Sequence, residues 1–205
     1  MMKTENFKKT TEQPDFERGH EILEQEESHG ARSGCSGTLL YFAYGSNMNL
    51  NQMAFRCPDA EVVDTVRLEG YRLAFRTNGG GNGVATILPE ADSFVDGVLW
   101  RISERDEQHL DHYEGFPFLY GKEPVTVTDQ DGVRREIMAY TMNSPYKEVP
   151  AMPSKAYLEG ILNGCRQNGI ETASVLEAVW LTQRELPEKI VPHKKQRRQK
   201  NGEER

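Results

Sequence analysis

Cysteine is scarce. The chain has three in 205 residues, Cys35, Cys57 and Cys165, an odd count without paired spacing. That excludes a disulfide framework and points to a reducing setting, so the expected location is the cytoplasm. Long apolar runs are missing as well. None approaches the ~20 residues that a membrane-spanning helix needs, and the polar N-terminus has no apolar signal core. Apolar residues make up 37 %, enough for one core but low for a chain ordered throughout. Positive charge is lacking where a nucleic-acid surface would need it. The net charge is −7. Residues 1–38 carry five Lys/Arg against eight Asp/Glu, residues 187–205 carry seven against three, and the middle is left with −8. An acidic globular part is a poor partner for a polyanion.

Several reactive signatures are also incomplete. The run Asn78-Gly79-Gly80-Gly81-Asn82-Gly83 could cradle phosphate, but it has no Gly-Lys-Ser/Thr ending and leads into a strand, so it reads as a hairpin loop. His109 and His112 could ligate a metal with Asp111, yet no further Cys/His cluster completes a site, and no metal is expected. Ser46 lacks the Gly-x-Ser-x-Gly context of a hydrolase nucleophile. Cys57 and Cys165 read as buried packing residues.

What is present divides into three stretches. Residues 1–37 are polar and charged and read as a disordered tail. Residues 38–186 carry the periodic apolar pattern of one domain. Residues 187–205 form a basic tail that includes Lys194, Lys195, Arg197, Arg198 and Lys200, which reads as solvated, with contact to RNA or acidic surfaces as the alternative. Within the domain, Leu39 to Ala43 is an apolar run that reads as a buried strand. Glu61–Leu68 and Tyr71–Arg76 suggest two paired strands joined near Glu69-Gly70. Val84–Leu88 and Phe94–Ile102 suggest two more. Ser103 with Asp106 forms a capping-box pattern for a helix from Glu104 to about Glu114, and Gly115 supplies its stop. Tyr120 leads into a strand at Val125–Thr128. Asp129 to Gly132 is a hairpin loop, and Val133–Met142 returns. Ser144–Pro153 reads as an ordered loop. Ser154 caps a helix with Tyr157, Leu158, Ile161, Leu162 and Cys165 on one face, stopped at Gly169. A last helix from about Thr172 to Thr182 carries Val175, Leu176, Val179 and Trp180. Strands without regular βα alternation argue against a doubly wound sheet.

Two places invite chemistry. Tyr41-Phe42-Ala43-Tyr44-Gly45-Ser46-Asn47 turns from a strand into a Gly-Ser-Asn loop, and Asn49 then offers a cap for a short helix. Free backbone N–H groups at such a turn can hold a carboxylate or an oxyanion; an ordinary strand-to-helix connection reads the same. Gly45 is expected either to need a positive φ or to leave space for a bound carboxylate. Glu114 falls four residues after Leu110 on one helix face, beside Tyr113 and just before Phe116. An apolar setting and the negative end of the helix would both raise its pKa. The alternative is a carboxylate pointing to water from a frayed helix end.

Tyr41 to Asn47 closely resembles the opening motif of the γ-glutamylcyclotransferase family. Leu110-Asp111-His112-Tyr113-Glu114-Gly115 resembles the stretch where that family carries its catalytic Glu. Ala139-Tyr140-Thr141-Met142, followed by a Pro-rich loop, Ser154 and Tyr157, gives a third match. The resemblance covers roughly Leu39 to Trp180. It implies an α+β fold, a small mixed β-barrel flanked by helices, with the Gly-rich run near the mouth of the site. It implies cyclisation of a γ-glutamyl amide with release of 5-oxoproline and a free amine, Glu114 as general acid and base, and no cofactor. It further implies a substrate pocket formed by Tyr41, Tyr44, Gly45, Ser46, Asn47, Tyr140 and Tyr120. The expected partner is a small γ-glutamyl compound, with no membrane; a homodimer is left open. A non-catalytic binding module on the same fold is the alternative, and a γ-glutamyl group on a secondary metabolite is a second substrate type. Asn47 stands where the glutathione-specific branch usually has Leu, which argues against glutathione. The chain departs from the family at Phe116-Pro117-Phe118-Leu119-Tyr120. The family often has a Gly shortly before that Tyr, and this loop is bulkier and one residue shorter than in the animal enzymes.

Overall fold

The computed structural model describes residues 37–187. The assignments of an N-terminal and a basic C-terminal tail fall, but for Gly37 and Pro187, outside the described residues. Strand β1 spans Thr38–Ala43 and ends in a 3-10 turn at Ser46–Met48. Helix α1 follows at Leu50–Arg56, capped by the Asn49 side chain, which accepts from the Gln52 amide. Strands β2, Glu61–Thr77, and β3, Gly83–Ser103, come next. Ser103 ends β3 and starts α2, Glu104–Glu114. Its capping box with Asp106 is complete, and Gly115 closes the helix in the left-handed conformation at φ 66°. Strands β4, Tyr120–Thr128, and β5, Arg134–Met142, form a hairpin. Helices α3, Lys155–Gln167, and α4, Ala173–Glu185, complete the described chain.

The strands close into a barrel in the order β1-β3-β2-β4-β5. Parallel pairing of β5 with β1, at Tyr41 opposite Met138, closes a barrel whose other pairs are antiparallel. This is the small mixed barrel with flanking helices that the family resemblance implies. Phe42, Phe75, Leu99 and Val98 are wholly buried in its core, and each such side chain stabilises the fold by about 1.5–3 kcal/mol.

The expected pairs of short strands are instead two long ones. Glu69-Gly70 is not a turn. Glu69 pairs with Phe94 and Tyr71 with Pro89, so Gly70, at φ 78°, is opposed by Glu90 to Ser93. A positive φ at one glycine bends a strand, whereas a two-residue hairpin reverses it. The polar breaks on both strands mark one shared bend. On α4 the inward positions are Val175, Ala178 and Thr182, while Leu176 and Trp180 are 51 % and 53 % exposed. Cys57 and Cys165 are free and buried.

Helix α3 packs on the loop after β1 through its small residues. A Cβ on Gly164 would lie 2.8 Å from the Asn49 nitrogen and from the Met48 carbonyl carbon. The side chain of Asn49 donates to the Gly160 carbonyl at 3.0 Å, and that of Asn168 to the Met48 carbonyl at 2.8 Å. The loop is thus clamped from behind by a helix whose backbone approaches it closely at Gly164. Gly164→Ala is expected to cost about 1–3 kcal/mol by overpacking, read as a lower urea midpoint at unchanged m-value.

Candidate active site

The C-terminal end of β1, the loop after it, the last turn of α2 and the facing ends of β4 and β5 surround a cavity of about 240 Å³. Tyr41, Tyr44, Gly45, Ser46, Asn47, Glu114, Tyr120 and Tyr140 all line it, with the Tyr41 and Tyr140 rings edge to face at 5.6 Å. The residues singled out from the sequence are therefore brought together at one place. Asn78 of the Gly-rich loop, Val84, Ala85, Tyr113, Leu119 and Tyr157 complete the lining.

Asn47 holds the centre. Its Nδ2 donates to the Tyr41 hydroxyl and to Glu114 Oε1, both at 2.8 Å. Its backbone carbonyl accepts from Trp100 Nε1 at 3.1 Å. Around it the tyrosines are tied to the barrel backbone. The Tyr44 hydroxyl donates to the Tyr140 carbonyl. The Tyr120 hydroxyl donates to the Ala85 carbonyl at 2.6 Å, while the Ala85 amide donates to the Tyr157 hydroxyl at 3.1 Å. Tyr140 donates through its hydroxyl to Asp111, which also pairs with Lys122 at 2.7 Å. Lys122 and Tyr140 are cross-strand partners, so Asp111 fastens the helix of Glu114 to the β4–β5 hairpin.

Burial pushes the Glu114 carboxyl up from its ordinary 4.5 to about 7, against the Asn47 hydrogen bond and the Arg56 charge, which pull it down. Closure by surrounding side chains, rather than the helix end, is the first cause. Burial, with Glu114 adding to it, also raises Tyr41 and Tyr44 well above 10.0. The phenols stay neutral donors and acceptors at neutral pH.

Gly45 corrects one expectation. Its φ is −120°, outside the left-handed region, so no positive φ is required. A Cβ there would point at Ala85 Cβ, 3.2 Å away, and the Tyr157 hydroxyl, 3.7 Å away, both part of the cavity wall. Asp111 is turned to Lys122 and Tyr140, and His109 Nδ1 lies 3.2 Å from the Arg56 carbonyl. Among the described residues no group of three or more His, Cys, Asp and Glu is gathered as a metal site, and no helix is long and apolar enough to cross a membrane.

The family described as gamma-glutamyl cyclotransferase, AIG2-like, matches residues 41–159, a span that contains every residue lining the cavity. The chain belongs to this family. It is similar to the gamma-glutamylcyclotransferase of Bos taurus, 33 % identical over 68 % of this chain and 76 % of that one. The Homo sapiens gamma-glutamylcyclotransferase is 31 % identical over 68 % of this chain and 80 % of its own length. A solved structure titled gamma-glutamyl cyclotransferase superposes with a TM-score of 0.61 at 29 % identity, covering 72 % of this chain and 87 % of that one.

Arg56 went unnoticed in the sequence. It reads there as a cation at the end of α1, a common partner for the helix dipole. In the fold its guanidinium lies 3.7 Å from the centre of the Tyr113 ring and donates to Ser46 Oγ, Asn47 Oδ1 and Gln52 Oε1. Tyr113, 45 % exposed, lies beside Ser46, hydroxyl to hydroxyl at 3.2 Å. Its place next to Glu114 in the sequence was the available signal.

The raised carboxyl has a consequence for stability. Between 4.5 and about 7 the folded protein holds a proton on Glu114 that the unfolded chain has released. Stability from this group is thus full below 4.5 and is lost as pH rises through about 7. Glu114→Gln removes the penalty. It is expected to match the parent near pH 4 and to exceed it above about pH 7 by on the order of 2–3 kcal/mol, read from denaturant midpoints across that range.

Proposed function

We propose that the protein is a γ-glutamylcyclotransferase whose proton carrier is Glu114. The observation that carries the reading is a carboxyl at a cavity wall, raised to about 7 and held by an amide of the facing loop. Such a group is divided between acid and base at neutral pH, the condition for taking and returning a proton in one turnover.

The substrate is a γ-glutamyl amide. Its α-ammonium gives a proton to the Glu114 carboxylate. The freed amine attacks its own γ-carbonyl carbon and closes a five-membered ring. The bond from that carbon to the outgoing nitrogen breaks as the Glu114 proton passes to that nitrogen. The regenerated carboxylate then takes the second proton from the ring nitrogen and hands it to the released amine, which leaves as an ammonium. The products are 5-oxoproline and a free amine, with no change of oxidation state. Both reacting groups belong to one molecule, so the cavity chiefly has to hold the folded-back conformer. Among the described residues no Lys or Arg lines it, so the substrate's carboxylate and the oxyanion are met by neutral donors. The amides of the Gly45-Ser46-Asn47 loop supply these, with the hydroxyls of Tyr41 and Tyr157, which accept from Asn47 and from the Ala85 amide and so keep their own protons to donate. The chemistry calls for no Lewis acid or redox group.

The test is Glu114→Gln, which keeps the shape and removes the proton transfer. Turnover is expected to fall roughly a hundred- to ten-thousand-fold, while calorimetry shows 5-oxoproline still bound. Near-parental turnover in this folded variant overturns the mechanism. Gly45→Val directs methyl groups toward Ala85 and Tyr157, and is expected to remove 5-oxoproline binding and turnover together in protein that circular dichroism shows to be folded. Unchanged binding would place the carboxylate elsewhere in the cavity.

A further inference from the structure

The side-chain amide of Asn47 has two ends, and the chemistry of the site depends on which end meets Glu114. An amide N–H facing the carboxyl favours its ionised form; an amide oxygen there favours the protonated acid. Tyr41 does not decide the matter, because a hydroxyl donates or accepts equally well. Glu114 does not either, because it does both according to its protonation. Arg56 does. A guanidinium has donors and no acceptor. It donates to Asn47 Oδ1, and a turned amide would set two donors against each other. With the oxygen so engaged, the two hydrogens of Nδ2 are left for the Tyr41 hydroxyl and Glu114 Oε1, each at 2.8 Å.

We propose that Arg56 is a positioning residue for catalysis: its guanidinium fixes the orientation of the Asn47 amide so that the N–H, and not the oxygen, faces the Glu114 carboxyl. The proposal builds on the reading of Glu114 as proton carrier. Arg56 is itself held in place. Nη2 donates to Gln52 Oε1 at 2.6 Å, Nη1 to Ser46 Oγ at 3.2 Å, and the plane lies over the Tyr113 ring at 3.7 Å. Gln52 is one helical turn before Arg56, so α1 supplies both the guanidinium and its brace. The arrangement spans the loop, α1 and α2, which explains why a helix of seven residues ends in this side chain.

The other groups that couple to Glu114 leave its titration readable. Tyr41, Tyr44, Cys57, Tyr120, Tyr140 and Tyr157 are all pushed upward, burial first. They remain neutral while Glu114 titrates. Arg56 is the cation that acts on it, in the same direction as the oriented amide.

The experiment is the pH profile of kcat/KM for the parent and Arg56→Met, with the Glu114 carboxyl followed in both by carbon-13 NMR. In the parent the acid limb is expected near 7. In Arg56→Met, loss of the charge and release of the amide both favour the protonated acid. The limb and the NMR midpoint are expected to rise together by about one unit, a roughly tenfold loss of kcat/KM on the acid side, recovered to within a few-fold at high pH. A merely structural Arg56 would lower kcat/KM at every pH and leave the midpoint in place; that result overturns the proposal. Arg56→Lys serves if Arg56→Met does not fold. It keeps the charge without the planar fork, and a smaller upward shift is expected, with an unmoved midpoint again counting against the proposal. The NMR midpoint needs no turnover. If it rises in Arg56→Met while Glu114→Gln stays active, the positioning role stands and the proton-carrier role of Glu114 falls.

Discussion

One amide side chain holds the site together. Asn47 donates to Tyr41 and Glu114, accepts from Arg56, and through its carbonyl accepts from Trp100. These partners come from β1, α2, α1 and β3. Buried polar groups are costly when left unpaired, and here each pairing satisfies a group that would otherwise carry that cost. The loop conformation and the place of the carboxyl follow from this set of bonds, which also holds down a proton affinity that burial raises. Glycines of α3 press on the back of this loop, and Ser103 with Asp106 sets where α2 begins. The distance from that cap to Glu114 fixes which helix turn reaches the cavity.

The electrostatics follow from enclosure. A carboxyl closed in by phenols is raised by burial, and the phenols are raised in turn, by burial first and by Glu114 with it. The wall is thus rich in hydrogen-bonding groups yet almost free of fixed charge. On the proposed function, such a wall would orient a zwitterionic substrate without binding its carboxylate to a lysine or arginine. It also keeps Glu114 the group that changes charge near neutral pH. Asp111 pairs with Lys122 and accepts from the Tyr140 hydroxyl, so it fastens α2 to the β4–β5 hairpin.

Local signals were readable from the sequence, and shared ones were not. Caps are made within four residues, and Asn49, Ser103, Gly115 and Ser154 each ended or began a helix where the residue types placed them. The barrel itself came from family resemblance, because closure depends on β1 meeting β5 across the chain. Strands β2 and β3 were each cut in two because a polar interruption looks the same whether the chain turns or bends. Only the partner strand decides, and Glu69 opposite Phe94 decided for a bend. In α4, Leu176 and Trp180 look like core residues but face outward, and the small Ala178 and the polar Thr182 face in. At the site, Tyr41 to Asn47 and Glu114 were legible as motifs. Arg56 was not, since its role exists only after α1 and the loop have folded against Tyr113. Of the two reasons expected for Gly45, the positive φ falls away and space at the cavity wall remains.

The central claim is that the cavity makes a substrate amine, and not water, attack the γ-carbonyl. Incubation of the protein with a set of γ-glutamyl amides in water enriched in oxygen-18, followed by mass spectrometry of the products, tests it directly. The account predicts 5-oxoproline in amounts equal to the amine released, carrying no label, because no water oxygen enters the ring. Release of free glutamate with labelled oxygen in its γ-carboxyl group would contradict it, since that product requires hydrolysis.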